Sequence, residues 1–209
     1  MAHDLFKEPG IGLEIGAEGG RWSMLLTDLG WSMICTDINE STLSMCKKRI
    51  PTANCILVKP DENTLPCESE SVGLMLCIEV PPVMQADWFV REASRVLQND
   101  GILVGVFMNR LSFRGIYVHM SSFFKRGYDY YKLIYPSWRM QLLCRGYSMC
   151  YEEGFCWFPF NRTSNSVLVP YFVRLEKWLG LHKLVFISPW IVFIAKKTSE
   201  RPPLRFTVF

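Results

Sequence analysis

None of the eight cysteines (35, 46, 55, 67, 77, 144, 150 and 156) forms a C-x-x-C pair, and there are only three histidines. This excludes the usual paired-thiolate frame of a zinc ribbon or redox motif. Cys35, Cys55 and Cys77 fall inside apolar runs, where a thiol behaves as a small buried hydrophobe, so no metal centre and no disulfide frame are expected. Long hydrophobic runs are also missing. The longest apolar stretch, LVFISPWIVFIA (184–195), is too short to cross a bilayer and is broken by Pro189. The opening MAHDLFKEPG lacks the apolar core of a signal peptide, so a cytoplasmic location is expected. Strong charge of either sign is lacking too. A net +3 and a pI near 8.4 are far from a nucleic-acid-binding tail, and no nucleic-acid partner is expected.

What remains is a globular composition. With 49% apolar residues over 209 positions, the chain can bury a core of single-domain size. The first half alternates strand and helix patterns. Apolar runs at Ile11–Ile15, Ser32–Thr36, Cys55–Val58, Leu74–Ile78 and Ile102–Phe107 read as strands. Between them, Arg21–Leu29 reads as a helix with Trp22, Leu25, Leu26 and Leu29 on one face. Asn39 can cap a second helix that repeats Leu43, Cys46 and Ile50 and stops at Pro51. Ala86–Leu97 is helical, and QNDG (98–101) reads as a turn. Strands alternating with helices predict an α/β fold, a Rossmann-like doubly wound sheet with helices on both faces. Nearly all-apolar strands fit a sheet covered on both sides.

The character changes beyond Met108. Residues 109–135 are rich in Tyr, Phe, Lys and Arg without clean periodicity. Pro136–Arg145 then reads as a helix with Trp138, Leu142 and Leu143 inside, and Tyr147–Glu152 as strand six. A second irregular-to-helical insertion covers 154–180, and Phe186–Ala195 closes with a last strand. The organisation is therefore one domain over 1–197, with a cofactor-binding half at 11–108, cap insertions at 109–135 and 154–180, and a flexible tail at 198–209.

The chemistry sits at strand ends. In doubly wound sheets ligands bind beyond the carboxyl ends of the strands. Gly16, Gly19 and Gly20 follow strand one, where bare backbone permits close approach. Asp37 ends strand two, and a carboxylate there can accept from both hydroxyls of a ribose. Asp61 follows strand three and could accept from an adenine amino group; Glu79 follows strand four. Their order points to an adenosine-containing ligand. A nicotinamide dinucleotide would want G-x-G-x-x-G and a helix start aimed at its pyrophosphate. Here the spacing is G-A-E-G-G, and Glu18 brings negative charge toward that position. A ligand without phosphate fits better.

LEIGAEGGRWS, then CTDIN, KPDENTLPCESESVGLMLCIEV and REASRVLQNDGILV, resemble the class I methyltransferases that use S-adenosylmethionine (SAM). The closest pattern is the "type 11" methyltransferase domain shared with quinone-biosynthesis methyltransferases. The resemblance covers about 11–108 and returns in RGYSMCYEEG and SPWIVFIAKK, implying an antiparallel last strand. It implies SAM as cofactor, with Glu14 and Gly16 by its methionine part, Asp37 holding the ribose and Asp61 with Glu62 bordering the adenine; Ala17, Gly19, Gly20, Ile38 and Glu79 complete the expected cofactor-binding set. The family usually has glycine where Glu18 stands. It often has an acid and a histidine where Pro82 and Val83 stand, and it usually carries an N-terminal lid that is nearly absent from this sequence.

The implied activity is methyl transfer, an in-line displacement promoted by positioning and exclusion of water. A hydroxyl acceptor would benefit from a base, for which His119, then Glu152 or Glu153, are the candidates. Pro81-Pro82 lacks the flanking polar and aromatic residues of enzymes that methylate nucleic-acid amines. The leading expectation is a small-molecule acceptor, aromatic or amphipathic. An RNA or protein methyltransferase and a non-catalytic SAM-fold module are the alternatives. The insertions are expected to cap the acceptor, with Tyr128 and Trp157 in contact with it, and peripheral contact with a membrane is compatible with their composition. The sequence leaves the oligomeric state open.

Overall fold

The computed structural model describes residues 8–122, 130–158 and 165–198. The strands are β1 (Ile11–Ile15), β2 (Ser32–Asp37), β3 (Asn54–Leu57), β4 (Val72–Cys77), β5 (Leu97–Met108), β6 (Tyr147–Phe155) and β7 (Trp190–Lys197). They form one sheet in the order β3-β2-β1-β4-β5-β7-β6. The β3 to β5 side is parallel, and β7 runs antiparallel to both β5 and β6. This is the Rossmann-like, mostly parallel sheet that the alternating pattern predicts, with the antiparallel last strand that the resemblance implies. The helices are α1 (Arg21–Asp28), α2 (Glu40–Arg49), α3 (Pro81–Met84), α4 (Phe89–Val96), α5 (Phe113–Ser122), α6 (Tyr135–Cys144) and α7 (Val169–Trp178). Among the described residues no helix is long and apolar enough to cross a membrane.

Each sheet face has its own core. Leu13, Met75, Leu103, Phe107 and Phe193 pack one face with α4 and α6. Met33, Cys35, Leu74, Leu76 and Ile102 pack the other with Leu43 and Cys46 of α2. Alternation along each strand produces this split. The ring of Trp138 fills the first core, with centroids 4.9 Å from both Phe107 and Phe193, and its Nε1–H donates to the Met84 carbonyl at 3.0 Å. Truncating such a ring costs roughly 3–5 kcal/mol.

Local structure departs from the sequence expectation in several places. The last strand starts at Trp190 rather than at Phe186, because Val185–Ile187 forms a 3-10 turn before Pro189. QNDG is not a free turn. It lies within β5 as a bulge: Val72 pairs with Leu97 and Leu74 with Ile102, so extra residues on one strand are absorbed around Asp100 at φ +65°. On α1, Trp22, Leu25 and Leu29 face solvent, and the buried residue is Ser23. Buried Glu14 explains the rotation, because its carboxylate accepts from both the backbone N–H (3.0 Å) and the hydroxyl of Ser23. Finally, 109–135 contains a regular helix, α5. Asn39 does cap α2, accepting from the Ser41 N–H at 3.0 Å. The 198–209 tail lies outside the described residues beyond Thr198.

Candidate active site

The chain turns sharply after β1. Gly16 adopts φ +67°, and a Cβ there would meet Val80 Cγ2 at 2.6 Å. Only glycine fits both the backbone angle and the space. The Ala17 N–H donates to the Thr36 carbonyl at 2.9 Å, which holds the loop against the end of β2. Glu18 is also left-handed, at φ +47°, which explains why this loop position favours glycine. Its N–H donates to Asp37 Oδ2 at 2.8 Å, while the Asn39 N–H donates to Oδ1 at 2.9 Å. Gly20 serves packing rather than approach: at φ +71°, a Cβ would lie 2.5 Å from Cys46 Sγ. The Gly19 carbonyl accepts from Arg49 Nη1 at 2.7 Å.

The loop opens onto a cleft of about 710 Å³ lined by Glu14, Gly16, Ala17, Glu18, Gly19, Asp37, Ile38 and Glu79, with Arg21, Arg49 and Tyr130. Four acids against two cations make it a poor site for phosphate and a good one for a cationic ligand. Burial drives the Glu14 carboxyl up to about 7, with the nearby charges of Glu18 and Asp37 adding to the rise, while the two hydrogen bonds from Ser23 oppose it. Beside this cleft, and sharing Gly16, Asp37 and Ile38 with it, is a slot of about 200 Å³ walled by Val58, Pro60, Glu62, Leu65, Val83 and Trp88. Its lining is mostly apolar, with Glu62 among the polar residues. Asp61 is exposed and lines neither space. The far wall is braced by Glu92 and Arg95: Glu92 accepts from the Leu65 N–H at 3.0 Å, and Arg95 donates to the carbonyls of Leu65 (3.0 Å) and Cys67 (2.9 Å). The pair also bonds internally at 2.8 Å, and this contact with Arg95 holds the Glu92 carboxyl below its usual range.

A second cavity of about 620 Å³ lies between β6, β7 and α7, lined by Glu79, Arg114, Glu153, Phe155, Phe172, Glu176, Lys177, His182 and Trp190 among others. Glu79, left-handed at φ +57°, lines this cavity and the glycine-loop cleft alike. His182 Nδ1 is buried there without a hydrogen-bond partner among the described residues. Of the candidate bases, His119 lines neither space; its Nε2 sits 2.8 Å from Arg110. Glu152 is engaged by Arg139 (2.9 Å) and by the Tyr135 hydroxyl (2.7 Å), leaving Glu153 on the cavity wall. Trp157 is half-buried against the ring of Phe113 at 6.5 Å, outside the cavity lining, while its neighbours Cys156 and Phe158 line it. Tyr128 lies outside the described residues.

Two positioning residues were invisible in the sequence. Gln85, buried in α3's C-terminal turn, accepts from the Leu133 N–H at 2.7 Å and donates to the Tyr130 carbonyl at 2.6 Å. It thereby sets Tyr130 over the glycine-loop cleft. Asn109 donates to the carbonyls of Phe186 (2.9 Å) and Ser188 (3.2 Å) and accepts from the N–H groups of Leu111 and Tyr135, both at 3.1 Å. It thereby joins the start of the first insertion to the segment before β7. His182 likewise carried no sequence signal.

Residues 13–105 match the family model described as a methyltransferase domain. No curated protein matches in sequence. Among solved structures, a SAM-dependent methyltransferase from Methanosarcina mazei superposes with a TM-score of 0.65 at 16% identity, over 95% of this chain and 97% of that one. One from Mesorhizobium loti does so with 0.63 at 13%, over 93% and 95%. A geranyl diphosphate methyltransferase, solved with geranyl diphosphate and sinefungin, gives 0.63 at 12%, over 91% and 72%. Identities this low establish a shared fold.

Proposed function

We propose that this chain, whose residues 13–105 match a methyltransferase domain, is a class I SAM-dependent methyltransferase that moves a methyl group from SAM to a small-molecule acceptor bound in the cavity beyond Glu79. The observation that carries the reading is the position of Glu79 on the boundary of both spaces. A donor in one and an acceptor in the other would meet beside this carboxylate.

The residues present fit the cofactor. Gly16 supplies bare backbone, Asp37 offers a fixed carboxylate to a diol, and the apolar slot with Glu62 suits a purine. The acidic lining of the cleft favours a sulfonium and an ammonium over a pyrophosphate. When bound, SAM would supply an activated methyl group to the lone pair of an acceptor. The protein's contribution is to align the two and exclude water. Tyr130, whose carbonyl Gln85 holds, lines the cleft, and Phe155, Phe172 and Trp190 wall the acceptor space. The Glu79 carboxylate is placed to hold the acceptor's departing proton, and His182 Nδ1 to orient a polar group of the acceptor.

The test is transfer of labelled methyl from SAM to a fractionated pool of small molecules, by the wild type and by Glu79→Gln. At saturating SAM the variant should lose about 100-fold or more in turnover. Full turnover in the variant would remove Glu79 from the reaction.

A further inference from the structure

The two helices associated with the insertions carry apolar surface on the wrong side. On α5, Phe113, Ile116, Tyr117 and Met120 recur at i, i+3, i+4 and i+7, the spacing of one helix face. In a globular protein that face is ordinarily buried. Here all four side chains are exposed, Tyr117 by 74%. The same inversion occurs on α7. Phe172 and Glu176, one turn apart, face the second cavity, while Tyr171, Leu175 and Trp178 lie outward, Trp178 by 80%. Leu168 before the helix, and Leu184, Phe186 and Ile187 after it, are also exposed. The helices are tied to one short segment: Trp157 stacks on Phe113, and the ring of Phe158 lies 4.6 Å from that of Phe172.

Monomeric soluble proteins rarely expose apolar surface on this scale without a use for it. The charges around it identify the use. Residues 109–122 and 165–187 contain a single acid, Glu176, and it is buried, accepting from the N–H groups of Trp157 (2.8 Å) and Phe158 (3.2 Å). The cations Arg174, Lys177 and Lys183 are exposed. Within these described segments the exposed charges beside the apolar side chains are therefore cations. A second copy of the chain would set cations against cations. An anionic lipid surface instead offers hydrocarbon to the apolar side chains, an interfacial level to Tyr117, Tyr171 and Trp178, and phosphate to the cations. At ten residues, α7 is about 15 Å long, far too short to span a bilayer but suited to lie in its interface.

We propose that the outer faces of α5 and α7 dock this protein on an anionic lipid bilayer. Helix α7 then has the bilayer on one side and the second cavity on the other. The docking stands independently of the transfer reaction, because neither SAM nor an acceptor is needed to observe it.

The experiment is flotation of the full chain with vesicles of phosphatidylcholine alone, or of phosphatidylcholine mixed with phosphatidylglycerol. Binding to the mixed vesicles is expected, weakening between 0.1 M and 1 M salt as the screening length falls from about 10 Å to about 3 Å. Replacing both Tyr117→Ser and Trp178→Ser should reduce partitioning about 100-fold without moving the unfolding midpoint. Arg174→Gln with Lys183→Gln should abolish the preference for phosphatidylglycerol. Failure of the folded wild type to float with either vesicle would overturn the proposal, as would equal binding to both. A concentration-dependent dimer that Trp178→Ser dissociates would assign the face to a second copy and overturn it equally.

Discussion

The backbone N–H of Glu18 donates to Asp37 Oδ2 across 2.8 Å, joining the glycine loop to the acid at the end of β2. With the Asn39 N–H on Oδ1 at 2.9 Å, both carboxylate oxygens are fixed before any ligand arrives. Each oxygen still has lone-pair capacity for a ribose hydroxyl. Bonds from the backbone cost no side-chain ordering, so the carboxylate is preorganised for a diol.

Glu18→Gly tests what the loop asks of that residue. The bond to Asp37 comes from the backbone and survives the change. A left-handed non-glycine residue costs roughly 1–2 kcal/mol, partly offset by the greater freedom of glycine when unfolded. The variant should be as stable as the parent or more so by up to about 1 kcal/mol, with SAM affinity within about tenfold of it, roughly 1.4 kcal/mol. Denaturant unfolding and calorimetry check both values. A hundredfold gain in affinity would mean that the Glu18 side chain obstructs the site.

Glu14 gives the fold a pH dependence of defined sign. Its carboxyl rises from an ordinary 4.5 to about 7 in the folded protein, chiefly through burial. The folded state therefore holds a proton that the unfolded chain has released, and stability falls as pH rises between these values. The loss should reach on the order of 3 kcal/mol by neutral pH. Glu14→Gln keeps an oxygen for Ser23 and cannot ionise, so its stability should be flatter than that of the wild type between pH 4.5 and pH 7. Parallel pH profiles for the two proteins would contradict this assignment.

Asn109→Ala should be costly although it touches no ligand cavity described above. It strands two carbonyls and two N–H groups that Asn109 now satisfies. At about 1 kcal/mol for each of the four lost bonds, the total is about 4 kcal/mol. For a chain of this size the melting temperature should drop by about 2–4 °C per kcal/mol. An unchanged midpoint would show that water or a shift of the chain replaces the lost bonds.

Strand-end chemistry was legible because period and punctuation fix where a strand stops. Gly16, Asp37 and Glu79 could be placed together at the carboxyl ends of the strands, where they line one cleft, from Ile11–Ile15, Ser32–Thr36 and Leu74–Ile78 alone. Contacts between distant parts of the chain were not legible. Gln85 reaches Leu133 and Asn109 reaches Ser188, and no local pattern announces either bond. His182 enters the second cavity because the short 3-10 turn Leu181–Lys183 packs against β6 and α7. The outward face of α1 shows the limit most directly: its apolar spacing reads as a buried stripe, yet one buried acid, Glu14, draws Ser23 inward instead. Asp61 shares its loop with Glu62, but only Glu62 lines the apolar slot, a distinction that spacing does not carry.

Calorimetric titration of the wild type and of Asp37→Ala with SAM and with its demethylated product tests the account most directly. The wild type should bind both at one site per chain. Loss of the Asp37 carboxylate should weaken each by on the order of 2–4 kcal/mol, about 30-fold to 1,000-fold. A folded wild type that binds neither compound, or that binds NADH in their place, would contradict it.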